Sequence, residues 1–436
     1  MKYTIKILVL ISPLLFIACG SSSSCKKELI KGELLLDISA KEMKTLLSSE
    51  GMAIDEDVYY GYKAYKISYV TKDDKGKCIN ASGLFVIPTE LSPKLKEDGL
   101  SLVSWSHGTI TLNEEAPTVY TKKYQKADFK AMVFSSLGGF ATLQADYIGY
   151  GDASSHYHPY IVKKSLVNSS IDLIEATRQF AQENNITLNE KLFVTSYSEG
   201  GYGAMAIAQK LEEMGKELTA STPLAGDYNL NYTANTALGF NEENLTAFSS
   251  TYFAMVSLAY SKVYNKNLSI MVNSPYDSQI ETLLDGNHSF EQIENALPSK
   301  SYGSEGLFRS DFIEEYRNNS ESWFKKALAE NSIDIWSPRS PIHIVHCEGD
   351  DDASYLGTQK FYKKMIDGGA KNVKLITPDK ENPNDEKWNH DECFVPAITY
   401  SVLWFLEKRD NTPGKYLGSN KESAMYCPDG SCKTPQ

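Results

Sequence analysis

The chain has 436 residues, 42% hydrophobic and 23% charged, and its 56 acidic against 44 basic side chains give a formal net charge of −12. The apolar fraction is ample for a large globular core, and one large domain with an insertion is expected. The acidic balance argues against a nucleic-acid partner, whose phosphates call for a basic footprint.

At the N-terminus, Lys2 and Lys6 precede the apolar run Ile7 to Ile17, which leads into Ala18-Cys19-Gly20. This is the pattern of an export signal, and the run is too short to favour a spanning helix. A small residue directly before a Cys is what a lipoprotein signal peptidase cleaves. The segment therefore resembles a bacterial lipoprotein leader: residues 1–18 as signal peptide, Cys19 as the lipidated first residue, and Gly20 to Ser24 as a flexible tether. Gly20 stands where an Asp often retains lipoproteins at the inner membrane, so the expected location is the outer membrane, with the membrane reached through the lipid. Cleavage removes two lysines and no acid, leaving a more acidic mature chain. Six cysteines then remain in an oxidising compartment, Cys25, Cys78, Cys347, Cys393, Cys427 and Cys432, and disulfides are the default. Cys427 and Cys432 enclose a turn and are expected to form a local bridge.

Residues 19–55 are read as anchor, tether and N-terminal segment, and residues 56–227 with 337–410 as the catalytic domain. Tyr65, Ile67 and Tyr69 alternate with polar residues, Asp73-Asp74-Lys75-Gly76 has turn chemistry, and Leu84 to Ile87 form a second strand, which together predict an antiparallel hairpin. Six short apolar runs follow, separated by helices: Leu102–Trp105, Phe140–Ala145, Leu192–Thr195, Leu218–Leu224, Ile342–His346 and Val373–Thr377. This alternation predicts an α/β fold with a mainly parallel sheet and helices on both faces. Between Asp227 and Pro341 no strand is evident, and Phe253, Val256, Tyr260 and Val263 have helical spacing, so 228–336 is read as a mostly helical lid inserted into the sheet domain. Residues 411–436 are a C-terminal tail.

Four short segments carry the chemistry. The run Leu192–Thr195 leads into Ser196-Tyr197-Ser198-Glu199-Gly200-Gly201 and then a helix, the strand–nucleophile–helix layout of the α/β-hydrolase elbow Gly-x-Ser-x-Gly, with Ser196 in the first glycine position. Ser104-Trp105-Ser106-His107-Gly108-Thr109 ends an earlier strand and is similar to the loop that supplies an oxyanion amide in lipases and esterases. The N–H groups of Thr109 and Glu199 are thus the expected oxyanion hole, with His107 a structural residue of the loop. Pro341 to Asp350 is a strand followed by an acidic loop, similar to the His-Gly-x-x-Asp pattern, and counting from His346 makes Asp350 the acid. Its neighbours Asp351 and Asp352 are read as a solvated loop. Finally, Trp388-Asn389-His390-Asp391 places a His in the loop before the last helix, and the order Ser198, Asp350, His390 is the chain order of α/β-hydrolase triads.

These segments, with Asp146 to Gly151, His158-Pro159-Tyr160 and Ala225 to Leu230, resemble the secretory lipase family known from yeasts and its bacterial relatives, over about residues 60 to 408. The resemblance implies the α/β-hydrolase fold, a carboxylic ester hydrolase of lipase or esterase type acting on a small-molecule or lipid ester, a helical lid over an acyl pocket, and no cofactor. Departures stand at Ser196, at Cys347 and at Ala353-Ser354. Two other readings compete. The same fold and triad serve serine peptidases, and a non-catalytic lipoprotein would use the fold as a binding module. Zinc at His346, Cys347, His390 and Cys393 would need two reduced thiols after export, so a Cys347–Cys393 disulfide is the simpler expectation. His156 and His158 lack a third ligand.

Overall fold

Nine strands form one sheet in the order β1-β2-β3-β5-β4-β6-β7-β8-β9, in a computed structural model described over residues 25, 28–49, 60–241, 243, 245–382 and 386–417. The leader, Cys19, the tether and the expected Cys427–Cys432 bridge lie outside the described residues.

The expected hairpin is β2 (Gly61–Lys72) with β3 (Cys78–Thr89), paired without a slip from Gly61 opposite Thr89 to Lys72 opposite Cys78. Its turn closes because Asp73 Oδ1 accepts from the N–H groups of Lys75 and Lys77, at 3.0 and 2.7 Å, while Gly76 takes a left-handed φ of 81°.

One element departs from the expectation. Residues read as N-terminal segment include an edge strand, β1 (Leu29–Ile38), antiparallel to β2. Most of its side chains are exposed, Ile30 and Leu34 among them, so it lacks the alternation that marks a half-buried strand. Gly32 sits where β1 crosses the helix Lys163–Glu183, and a β-carbon there would fall 2.1 Å from the Phe180 ring. A Cys25–Cys78 disulfide ties the start of this region to the hairpin.

The six apolar runs appear as β4 (Leu100–Ser106), β5 (Ala141–Ala145), β6 (Leu188–Tyr197), β7 (Ala220–Leu224), β8 (Ile342–Val345) and β9 (Val373–Ile376). All are parallel to one another, and β3 joins them antiparallel through β5. From β4 to β8 the strands are largely buried on both faces, which fits their mostly apolar runs, while β9 at the edge leaves Lys374 exposed. Because the strands run the same way, Ser106, Ala145, Tyr197, Leu224, Val345 and Ile376 end at one edge of the sheet, where open α/β sheets bind ligands.

Between β7 and β8 the described chain runs through the helices Leu230–Ala237, Ser250–Val263, Tyr276–Leu283, Phe290–Ala296, Ser310–Asn318 and Trp323–Asn331, with isolated bridges from Phe308 to Val272 and Tyr302. Phe253, Phe312 and Phe324 of this insertion share one core cluster with Ile67 and Leu166 of the sheet domain. Among the described residues no helix is long and apolar enough to cross a membrane.

Candidate active site

Strand β6 ends in a turn that holds Ser198 at φ 61°, ψ −126°, and the helix Glu199–Glu213 begins at the next residue. A left-handed φ at a serine is strained, of the order of 1–3 kcal/mol, and such strain concentrates at functional turns. The turn is held by the Ser198 N–H, which donates to Leu224 O of β7 at 3.0 Å. The following glycines are sterically required. A β-carbon on Gly200 would lie 2.1 Å from Ser196 Oγ and 2.3 Å from Ser106 O, and one on Gly201 would lie 2.0 Å from Leu224 O. Ser196 therefore replaces the usual first glycine by using the space that Gly200 leaves empty; its hydroxyl is buried without a hydrogen-bond partner among the described residues.

The loop after β8 brings Asp350 to the same edge. Its Oδ1 accepts from the N–H groups of Asp352 and Ala353, at 3.0 and 2.8 Å. Its Oδ2 faces His390 Nδ1 at 2.8 Å and His346 Nε2 at 3.1 Å. Burial would raise this carboxyl, yet the hydrogen bonds from His346 and His390 hold it well below the usual carboxylate range. For His390, burial would lower the imidazole, but its bond to Asp350 and the charges of Asp350, Asp352 and Asp391 outweigh that and raise it to about 9.

His390 is the first residue of the helix His390–Asp410 rather than a loop residue. Asn389 caps that helix by accepting from the Glu392 N–H at 2.9 Å, so the cap sets where the imidazole emerges. Tyr197 brings the Ser198 turn and His390 together: its ring lies 4.9 Å from the imidazole, and its hydroxyl donates to His390 O at 2.5 Å. The Ser198 hydroxyl itself makes no hydrogen bond among the described residues, and in substrate-free hydrolases the bond from nucleophile to base is often long.

Two features lock the acid loop to the base. Cys347 and Cys393 form a disulfide, which removes the thiols that zinc would need and accounts for Cys347 in place of glycine. Asp379, fully buried, accepts from the N–H groups of Glu348, Gly349 and Trp388. No sequence motif pointed to Asp379.

The expectation of a solvated acidic loop at Asp351 and Asp352 is incorrect. Asp351 Oδ1 accepts from the His390 N–H at 3.2 Å, and Asp352 Oδ2 accepts from the Tyr252 hydroxyl of the insertion at 2.7 Å. Burial pushes Asp352 up to about 6. The loop folds inward because the insertion packs over it and supplies the hydroxyl.

The two expected oxyanion amides belong to segments next to Ser198. Glu199 N–H belongs to the first turn of its helix, where donors have no partner within the helix and the dipole favours negative charge. The loop carrying Thr109 passes over the elbow, since a β-carbon on Gly108 would lie 3.7 Å from Ser198 Cβ. Thr109 Oγ1 is 3.0 Å from the Tyr160 hydroxyl. His107 is buried, with ring nitrogens 2.7 Å from Gly108 O and 3.2 Å from Asp146 O, and burial lowers its pKa. Those contacts suit a residue that shapes the loop.

Sequence reasoning also missed the partner of Glu199. Its buried side chain meets His158 Nε2 at 3.0 Å, and His158 Nδ1 lies 2.8 Å from Ile148 O, which fastens the loop after β5 to the elbow. Asp146 at the head of that loop is fully buried and bonded to Ser82 and Thr118.

Ser198 and Glu199 line a cavity of about 40 Å³ together with Asp227 and Asp352. It shares the walls Tyr160, Ile161, Asp227, Phe248 and Tyr252 with a second cavity of about 90 Å³, bounded largely by apolar side chains of the insertion such as Phe253, Val256, Phe312 and Leu328.

Residues 126–274 match the model of the prolyl oligopeptidase family, a stretch that includes Ser198 but neither Asp350 nor His390. No curated protein matches the chain. Among solved structures, the rice cell wall degrading esterase LipA from Xanthomonas oryzae is 22% identical, with a TM-score of 0.73 over 88% of this chain and 97% of that one. A protein from Legionella pneumophila is likewise 22% identical, with a TM-score of 0.73 over 88% of this chain and 99% of that one. Candida antarctica lipase A in its closed state is 14% identical, with a TM-score of 0.62 over 92% of this chain and 86% of that one. With the sheet order, these likenesses show that the chain has the α/β-hydrolase fold.

Proposed function

We propose that the chain is a serine hydrolase that cleaves carboxylic esters with a sizeable apolar acyl or alcohol part. The observation that carries this reading is the position of Ser198, on a strained turn in the wall of a cavity that adjoins the larger apolar one. Esterase and lipase neighbours support it, and the family match over the elbow supports a serine hydrolase without choosing the bond that is cleaved.

In the proposed reaction, neutral His390 takes the Ser198 hydroxyl proton while the oxygen attacks the ester carbonyl, and Asp350 stabilises the imidazolium that forms. The N–H groups of Glu199 and Thr109 receive the negative charge of the tetrahedral oxygen. Collapse breaks the bond to the alcohol, which leaves with the proton from His390. A water molecule, deprotonated by the same imidazole, then releases the acid from Ser198. No cofactor is needed for these steps.

The match to the prolyl oligopeptidase family favours a second reading, hydrolysis of peptide bonds by the same residues. Hydrolysis rates over p-nitrophenyl esters of increasing acyl length, run beside aminoacyl p-nitroanilides, separate the two. Esters should be turned over faster, with a rise from short to medium chains, and a preference for the anilides would favour the peptidase. Labelling of Ser198 by a fluorophosphonate probe is expected under both readings, and its absence would favour a binding module.

The disulfides Cys25–Cys78 and Cys347–Cys393 support an exported protein. Lipidation of Cys19 is the proposed anchor, and Cys19→Ala should abolish palmitate incorporation.

A further inference from the structure

We infer that His346 is a second positioning residue of the catalytic carboxylate, sharing Asp350 Oδ2 with His390 and thereby setting how strongly Asp350 holds the general base. The inference rests on the proposed triad of Ser198, Asp350 and His390.

A carboxylate offers about four lone-pair sites, and Asp350 has four donors around it: two backbone N–H groups on Oδ1 and two imidazoles on Oδ2. The two imidazoles come from different elements, His346 directly after β8 and His390 from the last helix. Asp350 is ionised, so it accepts only, and His346 Nε2 must carry a proton to face it at 3.1 Å. The other ring nitrogen, Nδ1, lies 2.9 Å from Thr358 Oγ1, whose remaining neighbour is Gly226 O at 3.2 Å. Thr358 Oγ1 donates its proton to Gly226 O, so it is an oxygen lone pair that faces His346 Nδ1, while Nε2 faces Asp350. The chain Thr358, His346, Asp350, His390 is thus continuous from the helix Tyr355–Asp367 to the base, and His346 is fully buried.

The physical consequence follows from sharing one oxygen. Electron density drawn toward His346 Nε2–H is withdrawn from the bond to His390 Nδ1–H, so His346 moderates the pull that keeps His390 protonated. It also stops the carboxylate from rotating about its Cβ bond when the Ser198 proton reaches His390. Other titratable groups act on these rings: Asp227 on His346, and Asp351, Asp352 and Asp391 on His390. None of them donates a hydrogen bond to Asp350 Oδ2, which makes His346 separable from the background of negative charge.

The test is the acid limb of kcat/KM against pH for p-nitrophenyl butyrate. His346→Leu removes the shared donor, so the limb should move upward by about half a pH unit, with kcat/KM on that limb falling about threefold. His346→Gln carries an amide N–H close to the Nε2 position and should restore the wild-type limb, whereas His346→Asn, whose amide is too short, should behave as His346→Leu. If the leucine protein does not fold, the Gln and Asn pair decides the matter. A limb that stays in place in His346→Leu and is equal in the Gln and Asn proteins would overturn the inference, even where the rate drops. Ser198→Ala and Asp350→Asn serve as controls: if both keep wild-type turnover, the triad reading itself has failed, and if both are inactive with the limb unmoved, only the role of His346 has.

Discussion

The acid–base corner and the cavity of the insertion are held by different kinds of force. At the corner, Asp350 is surrounded by four donors, Asp379 gathers three backbone N–H groups, and a disulfide joins the two loops. In the cavity the walls are aliphatic and aromatic side chains, and the hydroxyls among them are already engaged within the protein, Tyr260 with Ile161 O, Tyr316 with Asn235 and Thr233 with Asp227. Directional bonds set positions to within a fraction of an ångström, about 0.5 Å, which proton transfer needs. Apolar packing sets a volume, which is sufficient to choose among acyl chains. Chemistry and selectivity should therefore respond to different substitutions.

The largest effect should come from the corner. Ser198→Ala and His390→Ala are expected to lose on the order of a thousandfold or more in kcat, and Asp350→Asn should fall steeply by setting the wrong tautomer of His390. The losses should not add, because the three residues act as a unit. Turnover measured beside circular dichroism checks this, since wild-type activity in a folded Ser198→Ala protein would refute the triad. A smaller loss is expected on opening the Cys347–Cys393 bridge by paired Ser substitution, about 2–4 kcal/mol of stability by chain-entropy reasoning, read by urea unfolding. Activity at low temperature should fall less than in the triad variants, because Asp379 still ties the loops. An unchanged unfolding midpoint would remove the clasp from the account.

The cavity answers to volume alone. Ala234 lies in its wall, and Ala234→Phe should reduce kcat/KM for long acyl chains by roughly ten- to a hundredfold while leaving acetyl and butyryl esters within a few-fold of wild type. A uniform loss across chain lengths would mean that the cavity does not receive the acyl group.

Ser198, Asp350 and His390 were legible because each stands where a strand or turn gives way to a helix, and local chemistry marks those junctions: glycines after Ser198, a strand ending at His346, an Asn cap before His390. The six parallel strands were legible for a related reason, since burial on both faces of all but the edge strand β9 leaves short, mostly apolar runs. What stayed hidden depends on partners distant in sequence. Asp379 reads as one more surface acid until the acid loop and Trp388 converge on it, and Glu199 gives no sign of His158, 41 positions earlier. The edge strand β1 was missed because its outer side chains are exposed and only its pairing with β2 makes it a strand. Asp352 was misread for want of Tyr252, 100 positions away.

That misreading leads to the smallest expected effect, which bears on the boundary between the two regions. Asp352 lies in the wall of the Ser198 cavity and touches the insertion through Tyr252. Its folded pKa of about 6 stands above the unfolded value near 4. Below pH 4 the group is protonated in both states and costs nothing. As pH rises from 4 to 6 the unfolded chain releases a proton that the folded chain retains, so the native state loses stability over that window, and the loss is complete above about 6. Asp352→Asn removes the charge and keeps an oxygen that accepts from Tyr252. It should stabilise the protein on the order of 1 kcal/mol at pH 8, after allowance for solvent in the cavity, and less at pH 4.5. The same substitution takes away one of the negative charges that raise His390, so the acid limb of kcat/KM should move slightly downward, opposite to the shift expected for His346→Leu. Thermal unfolding at the two pH values and a pH–rate profile check both parts. An Asp352→Asn protein less stable at pH 8 than wild type would show that the carboxylate is needed in its charged form, and the corner would then extend across the cavity into the insertion.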